Sequence, residues 1–255
     1  MQITFLGTGT SQGVPVIACS CEVCLSKNKK DKRLRSSVFI EVDGNNFVID
    51  TTPDFRQQIL RENKIKLDAI LYTHEHKDHT AGLDDVRAFN FSQKKAMDIY
   101  AEERVQKSLK NEFIYAFEKK NYPGVPKLDF HLLENKSFFI NGTRILPIRA
   151  SHFKLPVFAF RIKNFTYITD VNFISQQERD KIKGTKILVI NALRKEKHIS
   201  HFNLNEALRL IKYIRPERAY LTHISHAMGF YDEVSKELPE NVFLAFDGLR
   251  IIIND

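Results

Sequence analysis

The chain has 255 residues, 43% hydrophobic and 27% charged, with a formal net charge of +8. That length allows a sizeable core in one large α/β domain or two small ones. No apolar run approaches the roughly 18–20 residues of a membrane span. In chain order, Met1–Gly7 has no basic region ahead of a long apolar stretch. It reads as a first strand rather than a signal peptide, and a cytoplasmic protein is expected. Gly7-Thr8-Gly9-Thr10-Ser11-Gln12-Gly13 lacks the Gly-Lys-Ser/Thr ending of a nucleotide phosphate loop, so its glycines are read as permitting a tight turn. Cys19, Cys21 and Cys24 are the only cysteines. An odd number cannot complete a set of internal disulfides, and clustered thiols in a reducing compartment read as metal ligands.

Strand-like runs rich in Val, Ile, Phe and Tyr follow at 37–42, 46–49, 69–72, 98–100, 144–148 and 157–162, then at 166–168, 187–189, 219–221, 242–245 and 249–252. Helical patterns lie at 54–61, about 102–119, 203–214 and 231–236, the clearest with Leu204, Ala207, Leu208, Ile211 and Ile214 on one stripe. No repeat, low-complexity block or linker divides the chain, so 1–255 reads as a single α/β domain. The mixture predicts layered sheets with helices outside rather than a simple doubly wound parallel sheet.

The run Leu67–Tyr72 ends in Thr73-His74-Glu75-His76-Lys77-Asp78-His79, where three imidazoles and the Asp78 carboxylate fall within six residues. The spacing suggests two metals sharing a site, and nitrogen and oxygen donors suit Zn, Mn, Fe or Ni. Three later strand-like runs also end in a donor: His152, Asp170 and His223. After an earlier strand, Asp50 is a candidate to hydrogen-bond the ligand histidines. A simple turn with Asp54 capping the next helix reads equally well. Asp84 and Asp85 have no role legible here. The positive net charge favours anionic ligands, small phosphate esters or nucleic acid; a basic solvated surface accounts for it as well.

His74-x-His76-x-Asp78-His79, followed by His152, Asp170 and His223, resembles the metallo-β-lactamase-fold hydrolases along essentially the whole chain. The resemblance implies a four-layer αββα sandwich. It implies that His74, His76 and His152 hold one divalent ion, that Asp78, His79 and His223 hold a second, and that Asp170 bridges them. His76 stands where the oxidoreductase branch has Glu, which favours hydrolysis. A narrower resemblance is to phosphodiesterases like the cyclic-ribose-phosphate phosphodiesterase of phosphonate breakdown, which carry three clustered cysteines and a histidine three residues after the last ligand. Here these are Cys19, Cys21, Cys24 and His226, a closed shell typical of structural zinc that would pin loop 7–35 beside the site.

That resemblance implies hydrolysis of a small, possibly cyclic phosphodiester by metal-bound hydroxide, with two Zn or Mn ions in the site and one structural Zn. Asp78 and His201 are the residues implied in catalysis. His201, just before Glu206-Ala207-Leu208, would act on the phosphoryl oxygen or the leaving group. His198 reads as a loop residue or a secondary substrate contact. A homodimer is implied as well. The rival with the same ligands is a tRNA 3′-processing-type endonuclease, which grips RNA with a basic arm. Segment 91–126, with Lys94, Lys95, Lys107, Lys110, Lys119 and Lys120, is the only candidate insertion and reads as a lid instead, so nucleic acid is the less favoured partner. A thioester or lactone hydrolase and a metal-binding protein without turnover are the remaining alternatives.

Overall fold

The computed structural model describes residues 1–118 and 124–253. The first stretch holds β1 (Gln2–Gly7), α1 (Glu22–Leu25), β2 (Ser37–Val42), β3 (Asn45–Ile49), α2 (Phe55–Arg61) and β4 (Ala69–Leu71). It continues through α3 (Lys77–Thr80), α4 (Arg87–Gln93), β5 (Met97–Ala101) and α5 (Glu103–Glu112), and β6 (Leu128–Leu132) follows. Then come β7 (Phe138–Ile140), β8 (Thr143–His152), β9 (Leu155–Ile162), β10 (Phe165–Ile168), α6 (Gln176–Ile182) and β11 (Ile187–Asn191). The chain closes with α7 (Leu204–Ile214), β12 (Arg218–Thr222), α8 (Tyr231–Glu237), β13 (Val242–Leu244) and β14 (Arg250–Ile252).

Two seven-stranded sheets result, ordered β14-β1-β2-β3-β4-β5-β6 and β7-β8-β9-β10-β11-β12-β13. Read in those orders, each sheet makes three antiparallel pairings and then three parallel ones. The sequence carries no visible repeat, yet the topology is the same plan used twice. Between the sheets lies an aromatic core that includes Phe5, Phe47, Phe158, Phe160 and Phe165, all fully buried. Outside the first sheet, Phe55, Phe89, Val105 and Leu109 seat α2, α4 and α5. Outside the second, Ile182, Ala207, Ile211 and Val234 seat α6, α7 and α8. Helix, sheet, sheet and helix make the αββα sandwich that the resemblance implied.

Six elements escaped the sequence reading: α1, α3, α4, β6, β7 and α6. Strands β6 and β7 are short and half exposed, so no clean alternation marks them. Helix α6 has only Ile182 as a buried apolar residue, so it shows no stripe. Its start carries an unread signal, because Ser175 caps it by accepting from Glu178 N at 3.4 Å, the Ser-x-x-Glu signature. The helix read at 102–119 stops at Glu112, where Phe113 turns its buried ring into the core. Much of the segment expected as a lid is core layer, since Met97, Ile99, Val105, Leu109 and Phe113 are buried. Its C-terminal part leans on the motif loop through Arg104–Glu75, Lys77–Glu112 and the Tyr115 hydroxyl donating to Asp84. Residues 119–123 of that segment, with Lys119 and Lys120, lie outside the described residues. No helix among the described residues is long and apolar enough to cross a membrane.

Candidate binuclear metal centre

Strands β8, β10 and β12 run in one direction, because two antiparallel steps and then two parallel ones separate them. Their ends therefore deliver His152, Asp170 and His223 to one edge of the second sheet. Strand β4 brings His74, His76, Asp78 and His79 from the first sheet to the same place, and Phe158 N of β9 donates to Thr73 O at 3.0 Å across the gap. Ring centroids of His74, His76 and His152 lie 4.6 to 5.8 Å apart. On the other side, Asp78, His79, Asp170 and His223 bring one donor atom each within 4.8 Å of one another.

Asp170 is the hub. Its Oδ2 lies 2.8 Å from His79 Nε2, and its Oδ1 lies 2.9 Å from His201 Nε2 and 3.1 Å from His223 Nε2. Asp78 Oδ2 is 3.1 Å from the same His79 nitrogen. Burial opposes the charge on Asp170, but His223 and His79 overcome it and hold the carboxyl well below the usual range. Burial likewise works against His79, and the carboxylates of Asp170, Asp78 and Asp50 raise it well above an ordinary imidazole. His74 and His223 go the other way, driven down chiefly by burial, His223 to about 3. Neutral His74 and His223 beside the anionic Asp170 are the protonation pattern a cation needs, and an ion held by His79 would have to displace the proton that the carboxylates keep there.

The donors fit divalent ions on a further ground. His74 Nε2 is buried and has no hydrogen-bond partner. His79 Nε2 likewise makes no hydrogen bond, although two carboxylate oxygens are close, so these atoms converge on shared points rather than pair along N–H directions. Leaving such a nitrogen without a partner costs about 1–3 kcal/mol.

A surrounding set of groups orients the donors. Asp50 Oδ2 accepts from His79 Nδ1 at 2.7 Å, and its two oxygens take Thr73 N at 2.9 Å and Thr73 Oγ1 at 2.8 Å. The hydrogen-bonding reading of Asp50 is therefore the one the geometry supports. Asp54 sits at the start of α2 but makes no side-chain cap; it binds Arg35 instead, with N at 2.8 Å and Nε at 3.1 Å. Asp84 pairs with Arg87 at 3.3 Å, and burial raises the carboxyl of Asp85. Thr10 Oγ1 lies 3.3 Å from His223 Nε2, Thr73 Oγ1 lies 2.9 Å from His74 Nδ1, and Thr169 Oγ1 donates to Asp170 Oδ2 at 2.9 Å. The sequence reading missed these hydroxyls. For two of them the signal was adjacency: Thr73 and Thr169 immediately precede His74 and Asp170. Gly7 serves close packing rather than a turn, since a Cβ there would meet Arg35 O at 1.9 Å.

His201 is brought to the centre, 9% exposed and stacked on His223 at 5.0 Å and 14°. His198 is more than a loop residue, because its Nδ1 lies 3.1 Å from Nδ1 of His201. Beside α1, His226 Nδ1 stands 3.3, 3.3 and 3.4 Å from the sulfurs of Cys19, Cys21 and Cys24. A tetrahedral ion with Zn–S about 2.3 Å and Zn–N about 2.0–2.1 Å puts sulfur and nitrogen about 3.6 Å apart, so the four donors fit such an ion. The thiol nearest α1's start, Cys21, is lowered to about 6, chiefly by the Cys24 backbone N–H. A groove of about 950 Å³ between α7 and the β12–β13 end contains none of these donors.

Fold and site together define a metal-dependent hydrolase of metallo-β-lactamase architecture. Residues 45–224 match the Beta-lactamase superfamily domain. A diphosphatase from the PhnP family superposes with a TM-score of 0.92 at 36% identity, over 98% of this chain and 96% of that one. The chain belongs to the β-lactamase superfamily and, within it, to the PhnP family. An octanoyltransferase of Porphyromonas gingivalis is 37% identical over 258 residues, all of this chain but 52% of that protein, so the chain spans about half its length. Zinc-bound PqqB from Methylobacterium extorquens and the short form of human tRNase Z share the fold, with TM-scores of 0.77 and 0.72 at 18% and 19% identity. The former match covers 99% of this chain and all of that one, and the latter covers both chains completely. Membership of this fold family implies divalent metal ions.

Proposed function

We propose that the chain is a two-metal phosphodiesterase acting on a small anionic phosphodiester, cyclic or linear. The observation that carries this reading is the convergence of Asp78, His79, His152 and His223 from both sheets on Asp170, with His74 and His76 beside His152 and His201 facing the same carboxylate. His74, His76 and His152 would hold one ion, Asp78, His79 and His223 the other, and Asp170 would bridge them. Zinc or manganese suits such a nitrogen and oxygen set. Bound ions of this kind lower the pKa of water toward neutrality and neutralise charge on phosphoryl oxygens. Asp50 fixes the ring of His79, and Thr169 fixes the carboxylate of Asp170. His201 Nε2, beside that carboxylate, would hold the proton that a departing alkoxide needs, worth about 10²–10⁴-fold. Cys19, Cys21, Cys24 and His226 would hold a structural zinc that ties the loop after β1 to the turn after β12.

Full-length similarity to a diphosphatase supports a phosphate substrate, and the net charge of +8 favours an anionic one. A homodimer and a cytoplasmic setting belong to the same reading, and nucleic acid is the less favoured partner. The octanoyltransferase name of the Porphyromonas relative favours a second reading, acyl chemistry at this centre; about half of that protein has no counterpart here. Metal analysis with a substrate panel separates them. Cyclic ribose phosphates, linear nucleotide diesters, diphosphates, a tRNA precursor and an octanoyl thioester would be offered to the loaded enzyme. Turnover of a small phosphodiester, lost on chelation, is expected; turnover of the thioester alone overturns the proposal.

A further inference from the structure

The geometry points to His198 as the positioning residue for His201, an inference that rests on the proposed role of His201. Two ring nitrogens, Nδ1 of each, face one another at 3.1 Å. Two ring nitrogens that face at this distance share one proton, so one must donate and the other accept. Ser200 decides which. Its backbone N–H donates to His198 Nδ1 at 3.4 Å, and a peptide N–H can only donate. The lone pair is therefore on His198, and the proton is on Nδ1 of His201. The Ser200 hydroxyl agrees, lying 3.3 Å from His198 Nδ1 and 3.0 Å from His201 Nδ1. It can donate to the first while its own lone pair accepts from the second.

The consequence is a ring held on three sides. Its Nδ1 edge is fixed by His198 and Ser200. One face stacks on His223, and His152 meets the ring at 4.5 Å and 74°. Nε2 faces the centre, 2.9 Å from Asp170 Oδ1, an oxygen that only accepts, so both nitrogens of His201 donate and the ring is the doubly protonated acid whose Nε2 proton the departing alkoxide would take. Without an acceptor at position 198, the ring loses the contact that keeps a proton on Nδ1 and can turn or give that proton up. His198 is half-buried, with its ring 5.0 Å from that of His201. Its action on the reaction runs through His201.

Two measurements test this. The first is ¹⁵N NMR of the imidazoles in the zinc-loaded protein, which reports directly which nitrogen carries the proton. A protonated Nδ1 on His201 is expected in the wild type, lost in His198→Ala and kept in His198→Asn, whose Oδ1 can accept in place of Nδ1. The second is turnover. His198→Ala should lower kcat on an alkyl phosphodiester about 10–100-fold, the usual cost of removing an orienting partner, with KM and metal content unchanged. The defect should shrink on an aryl ester, His198→Asn should restore much of the rate, and adding His198→Ala to His201→Ala should cost nothing further. An unprotonated Nδ1 on wild-type His201, or losses that add in the double variant, overturns the inference. If the wild type cleaves no phosphodiester, the proposed function falls, while the nitrogen signals still decide the part played by His198.

Discussion

The two sheets follow one plan, yet their corresponding aspartates do different work. Each sheet's fourth strand, β3 or β10, is followed within two residues by an aspartate held in the left-handed region, Asp50 at φ 66° and Asp170 at φ 53°. Such backbone costs of order 1–3 kcal/mol and persists where the surroundings enforce it. Both carboxylates are buried, at 0% and 2% exposure. Asp50 is surrounded by hydrogen-bond donors, the Thr73 amide and hydroxyl and the His79 ring, and burial pushes its carboxyl up. Asp170 meets imidazoles from three directions. The backbone device is shared; the supply of protein donors decides the role. A carboxylate satisfied by N–H and O–H groups becomes an orienting post, whereas one ringed by imidazole nitrogens is suited to a cation.

The sharpest test of that contrast is Asp170→Ala. Losing the bridge should empty or disorder both metal positions and cut kcat/KM by about 10³-fold or more, the scale of several kcal/mol of metal-assisted stabilisation. Near-normal turnover with full metal content would erase the distinction between the two aspartates. His201→Ala, on the side of Asp170 away from the first sheet, should leave the metals in place. It should cost roughly 10²-fold on an alkyl ester and less on a nitrophenyl ester, which leaves with little help. Equal losses on both esters would move His201 from the leaving group to the phosphoryl oxygens.

Asp50→Asn keeps the shape but weakens the acceptor for His79, so metal affinity or turnover should fall about 10–100-fold. A collapse matching that of Asp170→Ala would mean the first sheet's aspartate is no mere orienting post. The smallest effect on turnover is expected from Cys19→Ser. This site joins the halves, since its sulfurs come from the loop after β1 and its imidazole from the turn after β12. One zinc per chain should be lost and the melting temperature lowered, with the other metals retained. Unchanged zinc content would remove the third site.

Local patterns carried much of this. Most strands were legible because their apolar residues are bounded by turn residues, and α7 because it has a full stripe and an Asn203–Glu206 capping box. Elements with one exposed face or a single buried residue, β6, β7 and α6, left no period to read. Segment 91–126 looked like an insertion because Met97 of β5, Val105 of α5 and Phe113 beyond it lie apart in the sequence; their common core exists only once those elements stack.

By itself the sequence determined the donors: residue types at fixed spacing after strand-like runs are chemistry written along the chain, and so were His201 and the cysteine cluster. Tertiary structure alone decided what those donors face. That Asp50 serves His79, that Asp54 turns to Arg35, and that His198 meets His201 nitrogen to nitrogen depend on contacts between separate loops. The repeated plan of the sheets was hidden for the same reason. Strand order and direction are set by hydrogen bonding between segments distant in the chain, and side-chain identity leaves no record of them.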